Sequence, residues 1–438
     1  MKALTFKRGI HPKYSKEATN KKSIQMLKPK GDLVFPMQQH IGSPCKPIVK
    51  KGDRVLVGQK IGEATGFVCA PIHSSVSGIV KAVEERAVTN GSKVLSVVIE
   101  NDGIEEEVHE LKGVKNYKQL TQKELVEIVK EAGIVGMGGA TFPAHVKLST
   151  PKGRELESII INGAECEPYL TSDHRVMLEE SQRIIEGLKI LLHIFPKATA
   201  YIGIEDNKMD AVEKLSKLAE KEQRIKVCVL HTKYPQGSEK HLIYAITQKE
   251  VPSGGLPIDV GCNVHNIDSI VAIWRAVTRG RPIMRRIVTV AGDGVANPCN
   301  LKVRIGTSYR ELLEYAGWDE TRTVKIISGG PMMGTAISDI DIPVVKGTSA
   351  ILCFTKDEVS DSPMQNCIRC GKCVQVCPAT LVPSTLHHEA LAGNYEEFHK
   401  AHGMDCIECG CCSYTCPAKR HLVQSIRTAK HIMRSKKK

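Results

Sequence analysis

The sequence predicts a multidomain α/β protein: a β-rich N-terminal part, a central α/β part, a small mixed module and a cysteine-rich C-terminal part. Three observations support this order. Short strands with Gly and Pro turns fill residues 33–99, strands and helices alternate over 115–280, and two cysteine runs follow residue 365. At 438 residues the chain is too long for one ordinary core and should divide into about three or four domains.

Composition is that of a soluble globular protein, with 42% hydrophobic and 25% charged residues. No apolar run reaches 18 residues, and the N-terminus lacks the apolar stretch of a secretory signal, so neither a transmembrane helix nor a leader is expected. The net charge is +13, but only 4% of residues are aromatic and no recognition motif is present, so nucleic-acid binding is not expected. Cysteines outside the two runs lack disulfide-like spacing, which favours a reducing, cytoplasmic compartment.

The first predicted unit, residues 1–114, consists of an extended Lys-rich arm and a small β domain. Alternating valines with turns at Gly52-Asp53 and Gly78 indicate short strands. This pattern of short strands and turns resembles the barrel-sandwich hybrid of biotinyl and lipoyl carrier domains. Those domains carry an acceptor lysine in a hairpin. The comparable stretch here is Ile72-His73-Ser74-Ser75, so no swinging arm is expected.

The second unit, residues 115–280, is predicted to be an α/β domain with a largely parallel sheet. Its first helix begins at Thr121, which can form a capping box with Glu124. Strand patterns at 158–161, 200–205 and 226–232 alternate with helical patterns, one of them a single long helix ending near Leu192.

Residues 281–345 are predicted to form a compact β-grasp module similar to SLBB domains, with two strand pairs around a short helix at 308–316. A turn-rich linker at 357–363 leads into a cysteine domain over 357–425, which the 28 residues between the cysteine runs should make helix-rich. A basic tail, 426–438, ends the chain. Two interpretations of this tail remain open: it is a solvated helix end, or it is a segment that docks on a membrane or a partner.

The two cysteine runs share one spacing, C-x2-C-x2-C-x3-C-P. Bacterial-type ferredoxins hold a pair of [4Fe–4S] clusters in this way, and the fourth cysteine of each run ligates the other run's cluster. The alternative, zinc, normally takes C-x2-C pairs separated by a long loop. We therefore assign Cys367, Cys370, Cys373 and Cys416 to one cluster, and Cys406, Cys409, Cys412 and Cys377 to the other. Such a chain moves single electrons.

A glycine-rich segment, residues 133–143, is a candidate phosphate site because Gly136, Gly138 and Gly139 let the backbone approach an anion closely. It matches neither a dinucleotide-binding fingerprint nor a Walker A sequence. A second candidate, residues 162–169, follows an apolar strand at the edge where α/β sheets bind ligands. Glu165 and Glu167 would point the same way if this segment were extended. The competing interpretation is a loop that caps a helix and forms ion pairs.

These elements together indicate a flavin. A hydride donor gives up two electrons at once, whereas a [4Fe–4S] cluster accepts one, and a flavin converts between the two.

The segments 136–147 and 162–168 resemble the FMN- and NADH-binding segments of the flavoprotein subunit of respiratory complex I. Over residues 5–425 the chain is similar to the RnfC family, the C subunits of the Rnf complex, which is the ion-translocating ferredoxin:NAD+ oxidoreductase. This resemblance rests on GIHP (9–12), FPMQQHIGSP (35–44), APIHSSVSG (70–78), GAECEPYLTSDHR (163–175), PSGGLPIDVGCNVHN (252–266) and both cysteine runs.

The resemblance implies a peripheral subunit on the cytoplasmic side of the membrane that exchanges electrons between NAD(H), FMN and two [4Fe–4S] clusters. Its partners would be the other subunits, and ferredoxin only through the complex. No catalytic acid or base is expected. The resemblance implies FMN near Gly136, Gly138, Gly139, Asn162, Glu165, Gly237, Glu239 and Asn263, and NAD(H) near Phe142, Lys147 and Glu167. Met137 and Ala164 stand where the complex I pattern has Arg and Asp, so phosphate and ribityl contacts there should differ.

Two alternatives remain. One is a soluble relative of the cobalamin reductases, against which the N-terminal β domain argues. The other is a flavin-free electron-transfer scaffold whose α/β domain only binds partners. Cys411 is expected to be a packing residue, and four histidines near the runs are expected on helix surfaces: His387, His388, His399 and His402.

Overall fold

The computed structural model describes residues 3–436 except 110, 152, 358 and 360, so the ends of the predicted arm and tail, Met1, Lys2, Lys437 and Lys438, lie outside the described residues. The strands are β1 (Ile24–Met26), β2 (Leu33–Pro36), β3 (Lys46–Pro47), β4 (Arg54–Val55), β5 (Lys60–Glu63), β6 (Ile72–His73), β7 (Gly78–Ala87), β8 (Lys93–Asn101), β9 (Ser158–Gly163), β10 (Thr199–Glu205), β11 (Ile225–Leu230), β12 (Cys262–Asn266), β13 (Arg285–Ala291), β14 (Cys299–Arg304), β15 (Lys325–Ser328), β16 (Thr335–Ile337) and β17 (Ala350–Phe354).

The helices are α1 (Gln122–Glu131), α2 (Ala144–Leu148), α3 (Ser172–Glu179), α4 (Ser181–Ile194), α5 (Met209–Ala219), α6 (Glu239–Thr247), α7 (Ile267–Arg279), α8 (Tyr309–Tyr315), α9 (Lys372–Val376), α10 (Pro383–Ala392), α11 (Tyr395–Lys400), α12 (Cys411–Tyr414) and α13 (Leu422–Ser435). Short 3-10 turns lie at Tyr117–Gln119, Asp206–Lys208, Pro257–Val260 and Gly403–Asp405. No helix among the described residues is both long and apolar enough to cross a bilayer.

The N-terminal β domain is a sandwich of two antiparallel sheets, in the orders β2-β8-β7-β4 and β3-β5-β6. Alternation along the strands buries one face of each sheet, so Leu33, Phe35, Val55 and Ile61 form a core with no solvent exposure.

The central sheet has the order β11-β10-β9-β12, and every pair in it is parallel, as predicted. Strand β9 is buried on both faces, which is typical of a strand in a parallel sheet. Ile159 and Ile161 pack in the core that includes α4 and α7, whereas Ile160 packs with α6. The capping box of Thr121 and Glu124 at α1 is confirmed.

The predicted long helix after β9 is two helices, α3 and α4, because the chain breaks at Glu180, whose φ of −116° is not helical. The carboxyl ends of β9, β10, β11 and β12 share one edge of the sheet, and the loops that follow β9 and β11 run together there.

The third unit is a six-stranded sheet in the order β1-β14-β13-β17-β15-β16. Two of its strands lie outside the predicted range 281–345. β17 is a central strand, and its fully apolar pattern was missed because buried strands do not alternate. β1 comes from the N-terminal arm and pairs in parallel with β14.

The arm is therefore not a free extension. Leu4 bridges Leu230 of the central sheet, Ile10 bridges Tyr234, and Lys16 is buried below the loop that follows β9. Residues 3–27 run across the central domain to the six-stranded sheet.

The C-terminal domain is helix-rich, as the long spacer between the cysteine runs predicted. Leu386, Phe398 and Ile426, from α10, α11 and α13, form its small apolar core next to Cys377.

Candidate functional site

The glycine-rich segment forms a tight loop with an open tip between α1 and α2. The Gly136 N–H donates to the Phe142 carbonyl at 2.8 Å, which closes the loop at its base. Gly138, Gly139 and Ala140 at the tip are exposed, and in the described chain their N–H groups have no acceptor. Gly139 has φ +67°, and a Cβ there would meet nothing within 4 Å. The tip thus presents three free N–H donors, the arrangement that binds an anion.

The base of this loop is held by residues that the sequence analysis missed. The Met137 N–H donates to Ser269 Oγ at 2.9 Å. Arg286, on β13 of the third unit, is buried and donates to the Met137 carbonyl at 2.9 Å and to Asp268 at 2.6 Å. These are long-range contacts that carry no local sequence signal, so Arg286 could not be found from the pattern.

Asn266 is a further missed residue, at the junction of β12 and α7. Its side chain caps α7 by accepting from the Asp268 N–H at 2.9 Å and donates to Asp173 at 2.7 Å. A Cβ at Gly138 would lie 3.1 Å from its Nδ2 atom. Burial, followed by the charges of Glu165 and Asp268, raises the pKa of Asp173 to about 8. An Asn that ends a strand and starts a helix is the signal that could have identified this position.

Three predicted residues meet beside the edge strand β12. Lys147 Nζ donates to Glu239 at 2.8 Å and to the Val264 carbonyl at 3.0 Å. The side-chain amide of Asn263 donates to the Lys147 carbonyl at 2.6 Å. Asn263 pairs with Ile159, near the amino-terminal end of β12. Its side chain therefore fixes the backbone of Lys147 from the amino-terminal side of the sheet.

Two further predicted residues meet at the carboxyl edge. Asn162 Nδ2 donates to the Gly237 carbonyl at 2.8 Å, and the Gly237 N–H donates to Cys166 Sγ at 3.3 Å. A Cβ at Gly237 would lie 3.2 Å from the Asn162 side chain. Gly237 is therefore required for the close approach of the two loops.

The expectation that Glu165 and Glu167 point the same way is wrong. Glu165 has φ +48°, so the segment is not extended there. The Glu165 carboxylate accepts from the Asp173 N–H at 2.7 Å and the His174 N–H at 3.3 Å, at the N-terminus of α3. The helix-capping interpretation of this loop is the one that the geometry supports for Glu165.

The Glu167 side chain contacts the third unit. Its two carboxylate oxygens accept from the N–H groups of Met332 at 3.1 Å and Met333 at 3.0 Å, in the turn between β15 and β16. Burial raises the pKa of Glu167 to about 7, against the lowering effect of these two N–H groups. Because both oxygens are engaged, Glu167 is a contact between domains.

A buried lysine from the arm holds this loop from beneath. Lys16 Nζ donates to the carbonyls of Glu165, Glu167 and Leu170 at 2.8, 2.9 and 2.5 Å. Burial lowers the pKa of Lys16. Three carbonyls converging on one ammonium fix the course of residues 165–170, a role that no sequence pattern indicated.

Five cysteines line one pocket of the C-terminal domain, namely Cys411 and four cysteines of the two runs. We name those four the buried thiol site: Cys377, Cys406, Cys409 and Cys412. Burial raises the pKa of Cys412 to about 12, and the thiols of Cys409, Cys406 and Cys377 are the next causes. The structure thus brings Cys377 to the other run's three cysteines.

We name the other four predicted cluster ligands the exposed thiol site: Cys367, Cys370, Cys373 and Cys416. Cys367 and Cys370 are exposed, and Cys373 and Cys416 are half-buried. Tetrahedral zinc with Zn–S bonds of about 2.3 Å needs sulfur atoms about 3.8 Å apart. Across the described chain, no three of these eight thiols have their sulfur atoms all within 4.8 Å of one another, so their spacing suits a larger cluster better than one zinc ion.

The buried thiol site lies directly against the central domain. Tyr234, in the loop after β11, donates its hydroxyl to the Cys409 carbonyl at 2.8 Å. A Cβ at Gly410 would lie 3.1 Å from the carbonyl of Met332, the residue whose N–H binds Glu167. Cys411 is fully buried beside Tyr234, as expected of a packing residue.

His387 is a correction to the sequence analysis. It is buried, and its ring nitrogens bond to Ser425 at 2.7 Å and to Arg420 at 2.8 Å. It joins α10 to α13, because a polar ring can be buried when both nitrogens have partners. His388, His399 and His402 are exposed, as predicted.

Comparison with protein-family models gives four matches along the chain. They are the RnfC barrel sandwich hybrid domain over residues 4–104, the Nuo51 FMN-binding domain over 129–275, the SLBB domain over 287–336 and the 4Fe-4S dicluster domain over 362–421.

Two curated proteins are each 47% identical to this chain. One is the C subunit of the Na(+)-translocating ferredoxin:NAD(+) oxidoreductase complex of Acetobacterium woodii, with 97% of this chain and 96% of the relative covered. The other is the C subunit of the proton-translocating ferredoxin:NAD(+) oxidoreductase complex of Clostridium ljungdahlii, with 97% and 93% covered. Among solved structures, an NAD+-reducing [NiFe]-hydrogenase in the H2-reduced state has a similar fold, at TM-score 0.50 and 16% identity over 73% of this chain and 62% of that chain.

Proposed function

The chain belongs to the RnfC family, the C subunits of ion-translocating ferredoxin:NAD+ oxidoreductase complexes, and from this membership we propose that it exchanges electrons between NAD(H) and its complex through FMN and two [4Fe–4S] clusters. The observation that carries the proposal is the contact between the buried thiol site and the loops of the FMN-type domain. The Tyr234 hydroxyl and the Cys409 carbonyl are 2.8 Å apart, so one cluster site adjoins the loops where a flavin would bind.

The residues at the glycine loop fit an FMN phosphate. Within the described chain, the exposed N–H groups of Gly138, Gly139 and Ala140 have no acceptor, and no atom lies within 4 Å of a Cβ placed at Gly139. Asn266, which packs against this loop, would orient the flavin from the carboxyl edge of the sheet. When bound, FMN takes the two electrons of a hydride together and gives them up singly, which matches the capacity of each cluster.

Lys147, which the resemblance assigns to NAD(H), is held for that role by its neighbours. Its ammonium group is fixed by Glu239 and the Val264 carbonyl, and its side chain stays partly exposed beside the glycine loop. A cation so placed would bind a dinucleotide phosphate, and Phe142 would contact the nicotinamide half. No side chain has to transfer a proton in a hydride step, so the contribution of these residues is orientation.

The positions of the two thiol sites suggest the route of single electrons. The buried thiol site adjoins the flavin-side loops, and the exposed thiol site opens to solvent with Ile368 and Met364 exposed beside it. Electrons from NADH would therefore pass the buried site first and leave through the exposed site. Apolar side chains around an outlet suit docking of a partner subunit.

We place the chain as a peripheral subunit on the cytoplasmic side of the membrane, next to the other subunits of its complex. Ferredoxin would exchange electrons with it only through those subunits. Helix α13 carries the basic tail, and its Arg427 and Lys430 bind Glu408 within the cysteine domain, so the described part of the tail stabilises the fold.

The test is FMN binding and NADH oxidation by the full chain with reconstituted clusters. We expect about one FMN per chain, and NADH-dependent reduction of ferricyanide. Ala140→Asp places a carboxylate beside the free N–H groups and should weaken FMN binding at least about tenfold, because like charges repel at close range. Ala140→Asn is the matched neutral control and should bind FMN as the parent chain does.

A purified chain that binds no FMN and oxidises no NADH would refute the proposal in favour of a flavin-free electron-transfer scaffold. Equal FMN affinity in the Asp and Asn variants would refute the assignment of the glycine loop.

A further inference from the structure

Two cysteines and a histidine outside the cysteine runs meet at one end of the β sandwich. His40 lies in the loop between β2 and β3, Cys45 directly precedes β3, and Cys69 lies in the loop between β5 and β6. Their exposed fractions are 7%, 5% and 0%. The two loops are joined by the Ser43 N–H, which donates to the Val68 carbonyl at 3.1 Å. This group, the barrel triad, is separate from both thiol sites.

The spacing of the barrel triad is that of ligands around one zinc ion. The Cys45 and Cys69 sulfur atoms are 3.5 Å apart, and Cys69 Sγ is 3.7 Å from His40 Nε2. Tetrahedral Zn2+ with the usual bond lengths places two sulfurs about 3.8 Å apart and sulfur and nitrogen about 3.6 Å apart. A disulfide would need about 2.05 Å. Within the described residues, this is the one group of three His, Cys, Asp or Glu whose ligand atoms all lie within 4.8 Å of one another.

The histidine is already held in the tautomer that a metal needs. Its Nδ1 donates to the Ile41 carbonyl at 3.1 Å, so the Nε2 lone pair faces the thiols. A carbonyl on the far nitrogen is the usual support of a zinc-binding histidine. The Nε2 lone pair now accepts from the Ala70 N–H at 3.0 Å, and this is the bond that a metal would replace.

The charges around the barrel triad also suit a cation with two thiolates. Burial, followed by the neighbouring Cys69, raises the pKa of Cys45 to about 12, and Lys346 acts in the opposite direction. Zn2+ binding would release two protons and leave a neutral unit of one cation and two thiolates, which a buried site tolerates.

We propose that His40, Cys45 and Cys69 bind one structural Zn2+ ion. Two thiolates and an imidazole are borderline-soft ligands of the kind that zinc prefers. The fourth ligand is an oxygen atom, because no further His, Cys, Asp or Glu of the described chain completes the group. The proposal does not depend on the FMN or the [4Fe–4S] clusters.

The zinc would fix the loop on which the central domain rests. The Phe67 carbonyl binds His145 Nε2 of α2 at 2.9 Å. Lys346 Nζ joins the Pro71 carbonyl at 2.6 Å to the Gly133 carbonyl at 2.8 Å, at the start of the glycine-rich segment. A zinc ion bound at Cys69 would thus stabilise the position of α2, which carries Lys147. It would also stabilise the start of the glycine-rich segment at Gly133.

The experiment measures zinc and iron in the full chain purified without oxygen. We expect about one zinc per chain beside about eight iron atoms. Cys45→Ser combined with Cys69→Ser should lower zinc at least about fivefold while iron stays unchanged. Cys299→Ser is the matched control, because Cys299 is also buried but lies outside the barrel triad, and this variant should keep its zinc.

X-ray absorption at the zinc edge of the parent chain provides a second measurement that needs no variant. Two sulfurs at about 2.3 Å with nitrogen and oxygen at about 2.0–2.1 Å are expected. Zinc with four sulfurs would mean that it occupies a ferredoxin-type site, and would overturn the proposal. Absent zinc beside eight iron atoms, or a Cys45–Cys69 disulfide detected by mass spectrometry, would overturn it equally.

Discussion

The two cysteine runs have the same spacing and the same local backbone, yet they provide two different environments. In each run a glycine follows the second cysteine with positive φ, Gly371 at 74° and Gly410 at 80°. The residue before the second cysteine is also left-handed in both, Arg369 at 54° and Glu408 at 58°. The thiols nevertheless differ in burial at the two extremes: Cys377, Cys409 and Cys412 are buried, whereas Cys367 and Cys370 are exposed.

The difference shows that the surroundings of a ligand motif determine its role. The Cys409 carbonyl of the second run accepts from Tyr234 of the central domain, whereas Cys367 and Cys370, at the start of the first run, are exposed. Cys377 of the first run lines the same pocket as the cysteines of the second run, and the predicted exchange of fourth ligands assigns Cys416 to the exposed site. Because solvent exposure and hydrogen bonds tune the potential of an iron–sulfur cluster, identical ligand sets here should give two distinct potentials.

The largest effect should come from removing the fourth thiol of each site. Cys377→Ser should lower iron from about eight to about four per chain and slow NADH-driven reduction of the exposed site by orders of magnitude, because the electron route is interrupted. Cys416→Ser should also lower iron but leave the buried site reducible by NADH. Iron analysis and EPR spectroscopy of both variants measure this. A Cys377→Ser chain that loses the exposed-site signal and keeps the buried one would contradict the exchange of ligands.

The next effect concerns stability at the equivalent positions 408 and 369. Glu408 binds Lys430, which is nearly buried, at 2.7 Å and Arg427 at 3.1 Å. Glu408→Gln should therefore lower the free energy of unfolding by about 2 kcal/mol, between the values for exposed and buried pairs.

Arg369 has no ion pair within the described residues, so Arg369→Gln should change that free energy by less than about 0.5 kcal/mol. Denaturant titration of the two variants gives the comparison. Equal losses would show that the two runs contribute alike to stability.

A smaller effect should be the pH dependence of stability that Glu167 causes. Glu167 is linked through Met332 to Gly410 in the second cysteine run. Burial raises its pKa from the ordinary 4.5 to about 7, so between these pH values the folded chain holds a proton that the unfolded chain has lost. Stability should fall as pH rises through this window, by up to about 1.4 kcal/mol per unit. Glu167→Gln should flatten that slope.

Unfolding of the Glu167→Gln chain at several pH values tests this, with the exposed Glu213→Gln as control. A slope that Glu167→Gln leaves unchanged would mean that another group titrates there.

The smallest effect should come from the hydroxyl that joins the two domains. Tyr234→Phe removes the hydrogen bond to the Cys409 carbonyl and should cost about 1 kcal/mol. Tyr414→Phe, at the exposed end of α12, should cost less than about 0.5 kcal/mol. Equal stability of the Tyr234→Phe and Tyr414→Phe chains would show that this hydrogen bond does not stabilise the interface.

Local patterns predicted what local interactions determine. The ligand spacing, the capping box at Thr121 and the parallel central sheet are all encoded in short stretches, and each was found from the sequence. The glycine-rich segment was recognised from its local composition, and the structure gives Gly139 a positive φ that glycine adopts without strain.

Long-range contacts were not predictable in this way. Lys16 reaches the loop after β9 across 149 residues, and Arg286 reaches Met137 across 149 as well. The direction of the Glu167 side chain could not be predicted, because its partners, the amides of Met332 and Met333, belong to another domain. Backbone amides carry no sequence signal, so only the folded structure reveals where a carboxylate is bound.

The order in which NADH reduces the two sites tests the account most directly. Rapid-freeze EPR of the chain with FMN and both clusters would follow it, with signals assigned by the Cys377→Ser and Cys416→Ser variants. The account predicts that the signal of the buried site appears first and that of the exposed site follows. Reduction of the exposed site before the buried one would contradict it.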